Sequence, residues 1–285
     1  MPITSMTDEK ENDNFIRALV VGPNGSGKTL LAASFPGPTL IVDVDKRNKP
    51  IRDWYHYRLQ DFDVLNINPY NLFTEWQPML NSLMDNCKYN TIVIDGLTSM
   101  SNLLVVCQMI NKGLFIDWSK ASDKEIKAGP GKVNKGGIAV PSWDEFNGEV
   151  MLFSGMLEAL KAVKANFFLT AHPLNRTIIK ADGASKYESL VTFGPKLESM
   201  VPGYFDEIWY TKIIQDWDQK QGKEVTKRVL YTRPSNEFPM AKTAIRKLPP
   251  MIDFTNNGAH EGMNFYDKVK EFLYTPSPVT ETTTV

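Results

Sequence analysis

The stretch "VVGPNGSGKTLL", Val20 to Leu31, decides the fold. Gly22, Gly27, Lys28 and Thr29 satisfy the spacing GxxxxGK[ST]. In that pattern the glycines let backbone N–H groups turn toward phosphate oxygens, and the following helix presents its positive N-terminal end to them. The flanks fit: the apolar strand "FIRALVVG" (15–22) leads in and the apolar helix "KTLLAASF" (28–35) leads out. Gly22, Pro23, Asn24, Gly25, Ser26, Gly27, Lys28, Thr29 and Leu30 are therefore the candidate cradle for nucleotide phosphates. Lys28 is expected to reach the β- and γ-phosphates and Thr29 to ligate Mg2+. The pattern names a ligand more securely than a job, because many activities are built on the same loop.

Outward from the loop, short β-branched runs alternate with helical segments. The clearest strands are 15–22, "TLIVDVD" (39–45), "TIVIDGL" (91–97) and "NFFLTAH" (166–172), and helices are expected at 28–35, 72–86, 98–112 and 144–164. Near-continuous hydrophobicity implies strands buried on both faces, as in a parallel sheet. "DEIWYTKII" (206–214) and "TKRVLYTRP" (226–234) flank a polar, Gly-containing turn and read as an antiparallel pair at one edge. The expected fold is α/β, a mostly parallel central sheet with helices on both faces and antiparallel strands at one edge. Residues 46–62 are hard to read, and their aromatics suit packing better than a ligand platform.

Three strand ends carry the polar groups a phosphate site needs. Asp95 ends an apolar strand, where a carboxylate is costly without a cation; it is expected to hold the magnesium shell. Capping of the next helix is the alternative, although Thr98 or Ser99 suits that task better. In "IVDVDKR" Asp43 and Asp45 point to one side if the strand continues. Asp45 is favoured as the residue that polarises the attacking water, because ligands sit at the C-terminal edge of α/β sheets; a solvated turn paired with Lys46 and Arg47 is the alternative. Thr170 and His172 end the fourth strand, where a polar group can contact the γ-phosphate or the water; a packed or surface histidine is the plainer reading.

At 285 residues with 42% apolar side chains, the chain can bury one large core. Residues 15–274 are read as one domain, with 1–14 a flexible segment and 275–285 a disordered tail. The net charge of −1 excludes a uniformly basic nucleic-acid binder, so any such contact is local. Cys87 and Cys107 lack metal-ligand spacing and suit a reducing compartment. No apolar run is long enough to span a bilayer, so a cytoplasmic protein without a membrane partner is expected.

The order of loop, acidic second strand, Asp95 strand and polar strand end resembles the RecA-like ATPases. It resembles more closely the phage-encoded RecA-like NTPases that include Sak-type single-strand annealing and recombination proteins. The resemblance spans roughly residues 15–250 and includes "DVD", "TAHP", "FDEIWYTK", "RVLYTRP" and "MAKTAIRKLPP". It implies ATP and Mg2+ as cofactors, Lys28, Asp45, Asp95 and His172 as catalytic residues, and Thr29 and Asp95 at the metal. Asp45 takes the place of the catalytic carboxylate and His172 that of the γ-phosphate sensor. It also implies a ring or filament of identical subunits, single-stranded DNA as partner, and links to single-strand-binding or replication proteins in the host cell cytoplasm.

In such proteins the loops after the magnesium and sensor strands line the DNA path, here about 115–142 and 173–195. The first carries Lys120, Lys124, Lys127, Lys132 and Lys135 among glycines, the second Arg176, Lys180, Lys186 and Tyr187 around a turn signal, and the second reads as a hairpin. Basic groups on flexible backbone near an aromatic suit sequence-tolerant single-strand binding. The family's inter-subunit KxR motif is met by Lys242, but Ala244 stands where the arginine is expected and Arg246 is the nearest substitute. Two other readings stay open: a nucleotide or small-molecule kinase with 115–142 as its lid, and a non-catalytic annealing or scaffold protein stabilised by nucleotide.

Overall fold

The computed structural model describes residues 15–112, 141, 143–180, 183–190, 195–219, 222–255 and 265–273. Its strands are β1 (Arg17–Val21), β2 (Thr39–Asp43), β3 (Phe62–Leu65), β4 (Thr91–Asp95), β5 (Asn166–Ala171), β6 (Pro173–Lys180), β7 (Gly183–Leu190), β8 (Glu207–Asp218), β9 (Lys223–Tyr231) and β10 (Met251–Asp253). Its α-helices are α1 (Lys28–Ala33), α2 (Lys49–Trp54), α3 (Gln77–Asp85), α4 (Leu97–Asn111), α5 (Trp143–Ala162), α6 (Pro195–Met200) and α7 (Phe265–Leu273). An 8-stranded sheet runs in the order β10-β9-β8-β1-β5-β4-β2-β3, and β6 and β7 form a separate hairpin. From β3 to β8 every pairing is parallel, whereas β8, β9 and β10 pair antiparallel at one edge. This is the expected α/β architecture, a mostly parallel sheet with antiparallel strands at one edge and helices on both faces. The phosphate-loop strand β1 and the Asp95 strand β4 are separated by one strand, β5, which ends beside Thr170 and His172.

Alternation along the strands builds two core layers. Leu19 and Val21, Ile92 and Ile94, and Phe167 and Leu169 face one layer, covered by α3, α4, α5 and α6. Ala18 and Val20, Val93, Phe168 and Trp209 face the other, covered by α1, α2 and α7. Burial on both faces explains why the central strands read as continuous apolar runs.

The structure corrects several expectations. β2 stops at Asp43, two residues early, because the chain turns there: Lys46 adopts φ 56° and the Asp43 carboxylate accepts the Arg47 backbone N–H at 3.0 Å. α4 begins at Leu97, so Thr98 and Ser99 lie within the helix and do not cap it; Gly96, at φ 109°, is the N-cap with no side-chain cap bond. Residues 72–86 divide into a π-helical turn, Leu72–Trp76, and α3. The hard-to-read 46–62 contains α2 and a 3-10 turn, His56–Asp61, before edge strand β3. β10 and α7 are additions to the expected elements. Residues 1–14 and 275–285 lie outside the described residues. Among the described residues no helix is long and apolar enough to cross a membrane.

Candidate nucleotide site

Parallel strands β1, β5, β4 and β2 all deliver their C-terminal ends to one edge of the sheet, where ligands of α/β folds bind. A cleft of about 390 Å³ opens there, lined by Asn24, Gly25, Gly27, Lys28, Thr29 and Leu30 of the loop and by Asp45, Asp95, Thr170 and His172. The sequence-predicted residues of the nucleotide site are thus brought together from four strand ends.

The remaining loop residues shape the cradle from behind. Gly22 lies so close to β8 that a Cβ there would meet Thr211 Oγ1 at 2.0 Å and Thr211 O at 2.6 Å. Ser26 is fully buried, and its hydroxyl bonds Pro23 O at 2.8 Å and shares a 2.7 Å hydrogen bond with the Thr211 hydroxyl. Gly25 and Gly27 take φ 75° and 96°, the left-handed conformation that turns N–H groups inward at little cost.

Lys28 is 8% exposed, and its ammonium donates to Gly22 O at 2.8 Å and Pro23 O at 3.0 Å. Burial pulls its pKa down to about 8 against the opposing attraction of Asp95 and Asp45. His172 Nδ1 lies 3.5 Å from Lys28 Nζ. Burial foremost, and then the Lys28 charge, lower the histidine's pKa below its usual value. The ring is therefore neutral at physiological pH, with one nitrogen to donate and one to accept.

Asp95 is the hub. Thr29 and Thr170 both donate to its Oδ1, at 2.8 and 2.7 Å, and the Thr170 hydroxyl in turn accepts the Gly96 N–H at 2.9 Å. Burial raises the pKa of Asp95, the two threonine bonds oppose this, and Asp45 and Asp43 add to the rise. Carboxylate and hydroxyl oxygens in this corner suit Mg2+, a hard cation. Among the described residues no group of three His, Cys, Asp or Glu is placed to hold an ion alone.

Asp45 stands beyond β2 with its carboxylate against Gly96, where an added Cβ would meet Oδ1 at 3.0 Å. Asp43 is fully buried, and its Oδ2 has no hydrogen-bond partner among the described residues. The two acids therefore differ in access through the turn after β2, not through strand alternation.

Sequence reasoning missed Arg47, Pro50, Trp54 and Arg228, which also line the cleft. Trp54 and Pro50 come from 46–62, where Tyr55 is indeed packed, with its hydroxyl on Leu30 O at 2.7 Å. Arg228 arrives from β9, more than 50 residues after His172 in sequence order, and no local signal marks it. Lys242 and Arg246 do not line the cleft: Lys242 Nζ donates to Pro202 O at 3.3 Å, and Arg246 O accepts from Arg233 at 2.9 Å. Arg176 and Lys180 lie on β6 and Lys186 on β7, a hairpin that starts directly after His172. Lys120, Lys124, Lys127, Lys132 and Lys135 lie outside the described residues.

Among solved structures the chain is similar to the KaiC-like protein PH0186 from the hyperthermophilic archaeon Pyrococcus horikoshii OT3, with 14% identity and a TM-score of 0.42 over 85% of this chain and 86% of that one. The search of curated proteins gives no match. Residues 14–243 match the AAA domain family. That segment holds the phosphate loop, Asp45, Asp95 and His172, and the chain accordingly belongs to the AAA domain family of P-loop ATPases.

Proposed function

We propose that this P-loop ATPase hydrolyses ATP with Mg2+ and couples the reaction to single-stranded DNA in phage recombination or replication, as an assembly of identical subunits. The observation that carries the reading is the convergence of Lys28, Asp45, Asp95 and His172 on one cleft, with hairpin β6–β7 continuing directly from the histidine. Bound Mg2+ would be held by Thr29 and Asp95 and would neutralise charge between the β- and γ-phosphates.

The chain's own groups do the rest. Lys28 exchanges its loop carbonyls for phosphate oxygens. Asp45 orients the attacking water and accepts its proton. Neutral His172, 3.5 Å from Lys28, contacts the terminal phosphate and responds to its loss. Because Pro173 follows at once, a shift of His172 is passed to the backbone that carries Arg176 and Lys180, and through strand pairing to Lys186. Such basic groups beside Tyr187 suit phosphate neutralisation with base stacking. Lys120 to Lys135, and single-strand-binding or replication proteins as partners, belong to the same proposal.

The test is ATP turnover with and without Mg2+ and with and without a single-stranded oligonucleotide at low salt. Magnesium-dependent release of free phosphate, accelerated by the oligonucleotide, is expected. Turnover with neither acceleration nor DNA binding would remove the DNA coupling and leave the ATPase. Transfer of phosphate to another nucleotide would replace hydrolysis by a kinase reaction.

A further inference from the structure

Strand β8 continues where its parallel neighbour ends. β1 stops at Val21, in register with Tyr210, whereas β8 runs on to Asp218 and β9 returns beside it from Lys223. The pair therefore overhangs the edge at which the phosphate loop lies. Arg228 pairs with Ile213 within this overhang and lines the cleft with Asn24, Gly25 and Lys28.

Its backbone is anchored on the outer side: the N–H donates to Thr255 Oγ1 at 2.7 Å and the carbonyl accepts from Phe254 at 2.9 Å. Among the described residues the side chain has no such anchor. Nε is buried without a hydrogen-bond partner, and Arg228 joins none of the ion pairs among the described residues. A half-buried guanidinium with an unsatisfied N–H is costly, and its planar fork matches phosphate oxygens. Lys242, expected to serve a neighbouring subunit's nucleotide, donates its ammonium to Pro202 O, and neither it nor Arg246 lines the cleft.

We propose that Arg228 binds the nucleotide's phosphate chain in cis, so that each subunit completes the positive charge of its own site from its β8–β9 overhang. The inference rests on the nucleotide reading above and deepens it. An arginine at the phosphates stabilises charge that spreads over the transferred group in the transition state, and either a cis or a trans supply serves.

The experiment uses Arg228→Ala, Arg228→Lys and Lys28→Ala in the full chain, with binding of a fluorescent ATP analogue and phosphate release as readouts. Arg228→Ala is expected to lower kcat/KM at least about 100-fold at an unchanged melting temperature. Arg228→Lys is expected to recover only part, since it restores the charge without the fork. Co-expressed Arg228→Ala and Lys28→Ala chains then separate cis from trans. Activity no greater than the sum of the two variants supports the inference. Recovery above that sum, or an Arg228→Ala variant as active as the parent, overturns it. A parent chain that neither binds nor hydrolyses ATP would sink the nucleotide reading itself, and this inference with it.

Discussion

Lys28 concentrates the site's electrostatics in one side chain. Burial brings its pKa to about 8, and Asp95 and Asp45 only partly oppose that fall. A bound polyphosphate favours the ammonium form, so above about pH 8 binding must take up a proton. Nucleotide affinity is therefore expected to change little between about pH 7 and 8 and to weaken by up to about tenfold per pH unit above it. Fluorescence titrations of the nucleotide across that range would check both the sign and the midpoint. Lys28, Thr29 and Asp95 were legible in the sequence because their chemistry is tied to local spacing: a loop between strand and helix, and an acid at the end of an apolar run. Arg228 and Trp54 were not, because only tertiary packing brings them to the cleft.

At the scale of elements, β8 acts as a brace for the phosphate loop. Thr211 Oγ1 bonds the fully buried Ser26 hydroxyl and also donates to Val21 O at 3.2 Å, while its bulk fills the space that Gly22 leaves. Thr211→Val keeps the shape and removes the hydroxyl, leaving buried polar atoms unpaired at a cost of about 1–3 kcal/mol. Both the melting temperature and nucleotide affinity are expected to fall, and Thr211→Ser is expected to restore them; thermal denaturation with and without nucleotide reads the two effects together. The sequence marked β8 as a strand but not as a brace, since Ser26 and Thr211 are 185 residues apart. The elements within 46–62 were not legible for another reason. α2 is six residues long and β3 four, too short to establish a period, and both are held by contacts with α1 and β2.

For the molecule as a whole, the two-layer core extends beyond the segment matched by the AAA domain family. That match ends at 243, yet β10 pairs with β9, and α7 buries Phe265 fully against Phe35, Trp209 and Phe254, with ring centroids 6.2, 5.7 and 5.9 Å away. Phe265→Ala is expected to cost about 3–5 kcal/mol, read by urea denaturation, although the residue lies outside the matched segment. The α/β class was legible from the central strands, whose double-sided burial leaves continuous apolar runs. β10 escaped because three residues carry no such run, and α7 because its nine residues intersperse apolar with charged side chains as an amphipathic helix does. The ammonium of Lys28 is tied to Gly22 O and Pro23 O of its own loop, so a ligand must compete for protons that already have acceptors. The loop is thus a latch that closes on itself, and only a ligand with enough negative charge to displace both carbonyls from the ammonium opens it.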